Sequence, residues 1–278
     1  MSSAARPPTR TELHRRLDID VGELRPHPGG YEADAFTDGT WFVKVWHKRD
    51  RDVDLTLLDR LAAAGLPVPV AVGAGVTDDG RRYAVFPFVA GRHAASDDVE
   101  EVARGLRRVH DVAVDGLALA APPLSDEPLV MLRPRLDHPW VRERADELRA
   151  WLERFEYVLA AASETEVPMV LSHDDFGGMN VLLDDDGRIV AMLDWDWARL
   201  GPREHDLWLV TDESRPERFL DAYGRDVELD ATHLEFGLLR RALGDLAARV
   251  VDEVDRPGVT TWGFDRLGRV DATLAHFR

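Results

Sequence analysis

A predicted β-hairpin with polar residues at both of its ends constrains this chain more than any other feature. Two short apolar runs, 181–183 (VLL) and 188–193 (RIVAML), flank the turn sequence DDDG at 184–187. Apolar runs on either side of an Asp-Gly turn predict two paired antiparallel strands. The chain that leaves the second strand then returns to the start of the first, so we expect Asp194 to lie close to Asn180.

The side chains at the two ends of this hairpin suit phosphate chemistry. Asn180 offers an amide oxygen and Asp194 a carboxylate, which are ligands that Mg²⁺ prefers. Asp175 stands five residues before Asn180, where its carboxylate is placed to accept a proton from a hydroxyl group. Protein kinases use Asp-x4-Asn, a hairpin and then Asp for phosphoryl transfer. The pattern therefore predicts a phosphoryl-transfer site with Asp175 as the base.

The composition excludes several classes of function. With 35 basic and 52 acidic residues the formal charge is −17, whereas a surface that binds nucleic acid needs clustered Lys and Arg. Such acidity suits a cationic small molecule, although solubility alone also explains it. The chain has no cysteine, which excludes disulfides, thiolate zinc sites and a thiol nucleophile.

No targeting or membrane segment is apparent. The first ten residues (MSSAARPPTR) are polar and rich in proline, unlike a signal peptide, and no apolar run approaches the roughly 18 residues of a membrane span. We expect a cytoplasmic protein, monomeric or weakly dimeric, that binds neither nucleic acid nor a membrane.

The N-terminal part has the pattern of a small antiparallel sheet with one main helix. An Asp-Gly turn at 37–40 leads into the apolar run 41–46 (WFVKVW), which predicts a buried strand. Apolar positions at helical spacing predict a helix over 51–65. Two further strands are expected within 66–76 and 81–89, around an Asp-Asp-Gly turn.

Helical periodicity dominates after residue 91. It predicts helices over 97–110, near 140–162 and over 233–254, with a loop rich in Pro and Asp across 115–139. The fold class is therefore α+β, in two lobes. We expect a β-rich, nucleotide-binding lobe over 1–86, a hinge at 87–91, and a larger, mostly helical lobe over 92–278 that carries the catalytic loop and the acceptor site.

Lys44 is the one charged residue in the run 41–46. Burying an unpaired ammonium group is costly, so a partner or an anionic ligand is expected. Phosphoryl transfer needs a lysine on a strand before the hinge to contact the phosphates. Asp52 or Asp54, in the predicted helix, could pair with it. The glycine pair at 29–30 is by itself a poor match to a phosphate-binding loop.

Together these motifs resemble the aminoglycoside phosphotransferase and choline kinase-like family, small-molecule kinases of the protein-kinase-like fold. The family's H-x-D-x4-N motif matches His173, Asp175 and Asn180, and its I-D-W-like segment matches 193–195. Its G-x4-D-L motif matches 201–207. The layout is most similar to that of the spectinomycin-type phosphotransferases.

The resemblance implies ATP as the phosphoryl donor, with GTP not excluded, and Mg²⁺ as the metal. It implies that Asp175 is the catalytic base and that Asn180 and Asp194 bind Mg²⁺. Asp206 is expected to support the catalytic loop, and His173 to brace it by a hydrogen bond. The expected nucleotide contacts are Lys44, Gly30, Asp54, Phe86, Phe88 and Val89.

Two departures bear on the acceptor. Gly177 stands where protein kinases usually have a lysine, and no A-P-E segment follows Asp194, so we expect a small hydroxyl compound as acceptor. Asp174 stands where the family often has glycine, and we interpret it as a surface carboxylate in preference to a substrate contact. Acidic residues that could bind an ammonium group of the acceptor are Asp196, Glu204, Asp212, Glu213, Glu235 and Asp245. Asp196 is also a candidate metal ligand.

Three other functions remain open at this stage. A metabolic kinase for choline, an amino alcohol or a sugar would use the same fold. A nucleotide-binding pseudokinase would act as an interaction protein, but the joint presence of Lys44, Asp175, Asn180 and Asp194 argues against it. A metal-dependent hydrolase built on 173–175 would need further ligands, and no second His-rich segment supplies them.

Overall fold

The chain folds as two compact units. The computed structural model describes residues 7–28, 33–47, 55–212, 216–252 and 259–277, and all structural statements below concern these residues. One unit comprises the chain up to His93 together with Val181–Asp196, and the other comprises Ala94–Asn180 and Trp197–Arg278. The division predicted from the sequence, with its hinge at 87–91, places residues 181–196 in the helical lobe, whereas these compact units group them with the N-terminal residues.

The described residues form ten strands and eight α-helices. The strands are β1 (Arg25–His27), β2 (Ala33–Thr37), β3 (Trp41–Trp46), β4 (Gly73–Val76), β5 (Arg82–Pro87), β6 (Arg92–His93), β7 (Met169–Ser172), β8 (Val181–Leu183), β9 (Ile189–Met192) and β10 (Arg199–Pro202). The helices are α1 (Arg10–Leu17), α2 (Leu55–Ala63), α3 (Val99–His110), α4 (Glu127–Leu132), α5 (Ala145–Ser163), α6 (Pro216–Tyr223), α7 (Ala231–Asp252) and α8 (Val259–Ala275).

A five-stranded antiparallel sheet forms the base of the first unit, with the strand order β1-β2-β3-β5-β4. The predicted β2–β3 hairpin is confirmed. The Asp38 carboxylate accepts the amides of Thr40 (2.9 Å) and Trp41 (2.8 Å), and Gly39 adopts a φ of +87°. Val43 and Val45 are fully buried on one face of β3, which directs Lys44 to the other face.

The second predicted hairpin is also confirmed. Strands β8 and β9 pair antiparallel with Val181 opposite Met192, and β6 extends the sheet on the side of β8. The turn is closed by the amide of Asp184, which donates to the Arg188 carbonyl (2.9 Å), and Gly187 has a φ of +75°. Asp194 follows β9 after one further residue.

The second unit is mostly helical, with one pair of antiparallel strands, β7 and β10. Helices α3, α5 and α7 were predicted from their apolar periodicity. On α7 the predicted face is buried, since Leu239, Leu243, Leu246 and Val250 are each at most 3% exposed. A 3₁₀-helical segment at Arg203–Asp212 packs against α7.

Other elements of the second unit were not predicted. The expected loop over 115–139 contains α4, a short helix with a proline in its first turn that buries Leu129 and Leu132. Helices α6 and α8 were also missed. No helix in the described part of the chain combines the length and the apolar character that a membrane span requires.

Candidate active site

A buried carboxylate holds the backbone of the loop that follows strand β7. Asp206, in the 3₁₀-helical segment, accepts hydrogen bonds from the backbone amides of His173 (2.8 Å) and Asp174 (2.7 Å). The side chain of Asp206 is completely buried, and the Nε2 atom of His110 lies 3.2 Å from its Oδ2 atom. The start of the loop is therefore fixed by charge-assisted hydrogen bonds.

The environment of Asp206 keeps it ionised. Burial by itself would raise its pKa, but the hydrogen bond from His110, the charges of His110 and His173, and the backbone amide of His173 lower the pKa to about 2. Asp206 is therefore an anion throughout the physiological pH range.

Asp174 does not lie on the surface, contrary to the prediction. Its side chain is only 12% exposed, and its carboxylate pairs with Arg199 at 3.0 Å and with Arg240 on α7. Its φ is +65°, in the left-handed region that favours glycine. Glycine, which the family motif often has at this position, adopts this conformation without strain. Asp is among the few other residues that tolerate it.

Asp175 points out of the same loop and is held at both carboxylate oxygens. The side-chain amide of Asn180 donates to the backbone carbonyl of Asp175 (2.8 Å) and to its Oδ2 atom (3.1 Å). Arg241 Nη1 donates to the Oδ1 atom at 2.7 Å. The Asp175 side chain remains 34% exposed. A fixed carboxylate that still reaches solvent can accept a proton from a bound hydroxyl group.

Lys44 forms a separate charged group in the first unit. Its Nζ atom lies 2.7 Å from Asp194 and 2.9 Å from Asp196, and the indole N–H of Trp46 donates to Asp196 at 2.7 Å. Burial by itself would lower the pKa of Lys44, but the two carboxylates raise it. The predicted partner Asp54 lies outside the described residues, as does Asp52, so Asp194 and Asp196 are the partners that the structure describes.

The predicted nucleotide contacts near the hinge lie at the end of β5. Phe86 is buried and pairs with Phe42 of β3, while the amide of Phe88 donates to the Thr40 carbonyl at 2.8 Å. The N–H of Phe88 is therefore engaged with the backbone of the residue that precedes β3. Val89 is half-buried. Gly30 lies outside the described residues.

The candidate acceptor acids are mostly engaged with other groups. Glu235 pairs with Arg154 at 2.6 Å, and Glu204 is buried and accepts the Asp230 amide at 2.8 Å. Asp196 binds Lys44, as described above. Asp245 pairs with Arg241 and Arg266. Glu213 and the side chain of Asp212 lie outside what the structure describes.

A cavity of about 300 Å³ lies between α4 and α7. Its lining is largely apolar and includes Pro128 and Met131 of α4, with Glu127 and Arg240 as its charged groups. Because Arg240 also binds Asp174, the cavity borders the residues that hold the loop.

Comparison with protein families identifies the family of this chain. A model of the phosphotransferase enzyme family matches residues 23–243, which is most of the chain and includes Lys44, the loop and the second hairpin. The chain belongs to the phosphotransferase enzyme family. This phosphotransferase has a hydroxyl group as its acceptor, as the resemblance implied. No curated protein matches it by sequence.

Solved structures that share this fold include those of antibiotic phosphotransferases. A spectinomycin phosphotransferase, APH(9)-Ia, in complex with ADP and spectinomycin is 16% identical, with a TM-score of 0.68 over 97% of this chain and 93% of that one. A GDP complex of an aminoglycoside 2′-phosphotransferase-IIIa mutant is 15% identical, with a TM-score of 0.70 over 94% and 95%. A ternary complex of an APH(4)-Ia mutant with AMP-PNP and hygromycin B is 20% identical, with a TM-score of 0.68 over 96% and 97%. These similarities establish the protein-kinase-like fold of the phosphotransferase.

The arginines that surround the loop of this phosphotransferase were not predicted from the sequence. Arg240 and Arg241 lie on α7 and bind Asp174 and Asp175, each 66 positions earlier in the chain. The available signal was the Arg-Arg pair itself, which interrupts a helix whose neighbouring residues are apolar. Charged side chains beside a buried helix face need carboxylate partners.

Proposed function

We propose that this phosphotransferase transfers the γ-phosphoryl group of ATP, with Mg²⁺, to a hydroxyl group of a small cationic molecule such as an aminoglycoside or aminocyclitol antibiotic. The observation that carries the proposal is the state of Asp175. Its carboxylate is held at both oxygens, on a loop anchored by Asp206, and still reaches solvent. A preorganised, accessible carboxylate is what orientation and deprotonation of an acceptor hydroxyl require.

In this proposal Asp175 accepts the hydroxyl proton while the acceptor oxygen attacks the γ-phosphorus, the bond from the γ-phosphorus to the bridging β–γ oxygen breaks, and ADP leaves. Lys44 contacts the phosphates of the nucleotide, and its pairing with Asp194 and Asp196 keeps the ammonium group positioned and charged before the nucleotide binds. The solved structures above were obtained with ADP, GDP or AMP-PNP, which supports a nucleotide donor and leaves GTP as the alternative to ATP.

The residues present fit a magnesium ion. Asn180 and Asp194 would hold it, since amide and carboxylate oxygens are the ligands that Mg²⁺ prefers, and Mg²⁺ usually completes its coordination with water and substrate phosphates. The described residues contain no group of three or more His, Cys, Asp or Glu side chains that could hold a metal ion by themselves. When bound, Mg²⁺ would neutralise charge on the transferring phosphate.

The acceptor class is supported by three observations. The net charge of −17 favours cationic ligands in general. Spectinomycin and hygromycin B are the acceptor-type ligands in the complexes of APH(9)-Ia and APH(4)-Ia. The cavity beside α4, with Glu127 as its acid, has the volume of a small-molecule site.

Replacement of Asp175 by Asn tests the proposed role. The change keeps the side-chain shape but removes the base, so we expect kcat to fall about 10²–10⁴-fold with little change in the KM for ATP. ADP release would be measured with Mg·ATP and a panel that contains spectinomycin, hygromycin B, several aminoglycosides and choline. Full activity of Asp175→Asn would show that the role is wrong. Turnover of choline, without turnover of any antibiotic, would favour a metabolic kinase.

A further inference from the structure

We propose that Arg241 is a positioning residue for Asp175 and holds the catalytic carboxylate in its working orientation. The proposal rests on the proposed function, since it assumes that Asp175 receives the acceptor proton. Arg241 lies on α7, in the same compact unit as Asp175 and 66 positions after it in the sequence. None of the sequence motifs described above includes this residue.

The contact between the two side chains is short and well defined. Nη1 of Arg241 donates to Oδ1 of Asp175 at 2.7 Å, while Asn180 donates to the Oδ2 atom at 3.1 Å. Each carboxylate oxygen thus has a donor on a different element, and rotation of the carboxylate would break both hydrogen bonds. A carboxylate oxygen has a further lone pair for the acceptor hydroxyl, so these contacts fix the base without blocking it.

Arg241 is itself fixed by contacts on other sides. Its Nε atom donates to Asp245 at 3.2 Å, one helical turn along α7, and its guanidinium carbon lies 4.0 Å from the ring centroid of Trp208. Trp208 is buried and belongs to the 3₁₀-helical segment that also carries Asp206. A guanidinium stacked on an aromatic ring and paired with a carboxylate has few alternative positions.

A second arginine, which is buried, completes the network. Arg266 of α8 is 2% exposed, pairs with Asp245, and lies over Trp208 at 4.9 Å. The charges therefore alternate from Asp175 through Arg241 and Asp245 to Arg266. Burial by itself would lower the pKa of Arg241, but Asp245 and Asp175 raise it, so the guanidinium keeps its charge. This balance allows four ionised groups to share one partly buried region.

The pairing has a consequence for the acceptor. A guanidinium already neutralises Asp175, so an ammonium group of a cationic acceptor gains little by pairing with the same carboxylate. The carboxylate stays available for the neutral hydroxyl group, and this favours transfer of the phosphoryl group to oxygen.

The test uses the full chain and separates kcat from KM. ADP release from Mg·ATP is measured with spectinomycin as acceptor and, in parallel, with water as acceptor. For Arg241→Gln we expect kcat to fall about 10²-fold, with less than a threefold change in the KM for ATP, because positioning acts on the chemical step. The kcat of Arg241→Lys should lie between those of the wild type and Arg241→Gln, since lysine keeps the charge but lacks the planar guanidinium. Methylguanidinium should partly restore kcat to Arg241→Ala.

Arg154→Gln is the matched control. Arg154 is similarly exposed and also pairs with an acid of α7, Glu235, while its other ion-pair partner among the described residues is Asp271 of α8. We expect wild-type kcat for this variant. Should Arg241→Ala fail to fold, Asp245→Asn tests the network, because it removes the second anchor of Arg241 and should lower kcat by a smaller factor.

Three outcomes would overturn the inference. These are wild-type kcat for Arg241→Gln, the same loss of kcat for Arg154→Gln, or a loss for Arg241→Ala that methylguanidinium leaves unchanged. Failure of the proposed function looks different. In that case Asp175→Asn would keep full activity, or the wild type would release no ADP with any acceptor, whereas failure of this inference alone leaves Asp175→Asn inactive and Arg241→Gln fully active.

Discussion

Asp174 combines two features that rarely occur together, a left-handed backbone and a buried ion-paired side chain. Its φ of +65° costs most residues free energy, and its carboxylate is the shared partner of Arg199 and Arg240. Burial and the neighbouring charge of Arg240 lower the pKa of Arg199, although Asp174 raises it. The acid therefore offsets the repulsion between two guanidinium groups beside the loop that follows β7.

Three substitutions at position 174 separate the backbone contribution from the charge contribution. Asp174→Gly keeps the backbone conformation but loses both ion pairs. We expect it to lower the free energy of unfolding by about 2–3 kcal/mol, less than the roughly 3–5 kcal/mol of a fully buried pair, because both arginines are partly exposed. Asp174→Ala should cost about 1 kcal/mol more, because its Cβ disfavours this backbone conformation. Of the three variants, Asp174→Asn should show the smallest decrease in the free energy of unfolding. Urea unfolding measures all three, and equal values for Gly and Ala would contradict the backbone argument.

At the scale of single residues, the sequence indicates which side chains are candidates for the site but not which side chains they contact. The spacing of Asp175 and Asn180 made them candidates, and Lys44 became one as the charged residue of an apolar run, because phosphoryl transfer requires those residue types in that order. The partners of Lys44 lie 150 and 152 positions later in the chain. A contact over such a separation depends on packing, which leaves no periodic signal in the sequence.

At the scale of elements, the close approach of α7 to the 3₁₀-helical segment is what places Arg240 and Arg241 beside the loop. Gly237 lies at the closest point. A Cβ atom added there would lie 2.9 Å from the Cα atom of His205 and 3.0 Å from the carbonyl oxygen of Glu204. Both are backbone atoms, next to Asp206, and neither can move without shifting the segment.

Gly237→Ala should therefore destabilise the protein although alanine favours helices. We expect the free energy of unfolding to fall by about 1–3 kcal/mol, the usual cost of overpacking, and kcat to fall with it because the segment carries Asp206. Gly268→Ala on α8 is the control, since among the described residues no heavy atom beyond its chain neighbours and its own helix backbone lies within 4 Å of its Cβ position. It should raise the free energy of unfolding by about 0.5–1 kcal/mol. Thermal and urea unfolding check both, and a stabilised Gly237→Ala would refute the close-packing argument.

The elements that could be predicted are those with a strong local pattern. The β2–β3 and β8–β9 hairpins have Asp-Gly turns, and α3, α5 and α7 have long apolar faces. Helix α8 begins with β-branched residues and contains two glycines, which lower its intrinsic helix propensity. Helix α4 has only six residues, too few to show a period. Packing on α7, and not local preference, stabilises these two helices.

At the scale of the whole molecule, the net charge of −17 does not describe the surroundings of the loop. Asp174, Asp175 and Asp245 each pair with at least one arginine, and Asp206 is held by His110 and backbone amides. The charge of these groups is locally balanced. General acidity is therefore weak evidence for the chemistry of the acceptor, and direct assays with neutral and cationic acceptors are the sharper test.

The stability of the whole molecule in acid should depend on Asp206. Its pKa is about 2 in the folded protein and 3.8 in its ordinary state. A carboxylate with a lowered pKa stabilises the fold fully above pH 4, and this contribution disappears as the pH falls from 4 towards 2. A shift of this size corresponds to roughly 2 kcal/mol. Between pH 4 and pH 2 the free energy of unfolding should therefore fall for both the wild type and Asp206→Asn. We expect the fall to be larger for the wild type, by roughly 2 kcal/mol.

Urea unfolding at intervals between pH 6 and pH 2 measures this difference. At pH 6 Asp206→Asn should already be less stable than the wild type, because the amides of His173 and Asp174 and the ring of His110 lose their anionic acceptor. The two curves should then converge as the pH approaches 2. Asp185→Asn, an exposed acid in the β8–β9 turn, is the control and should follow the wild type throughout. If the curves of wild type and Asp206→Asn ran parallel down to pH 2, Asp206 could not be the group whose protonation weakens the fold in acid.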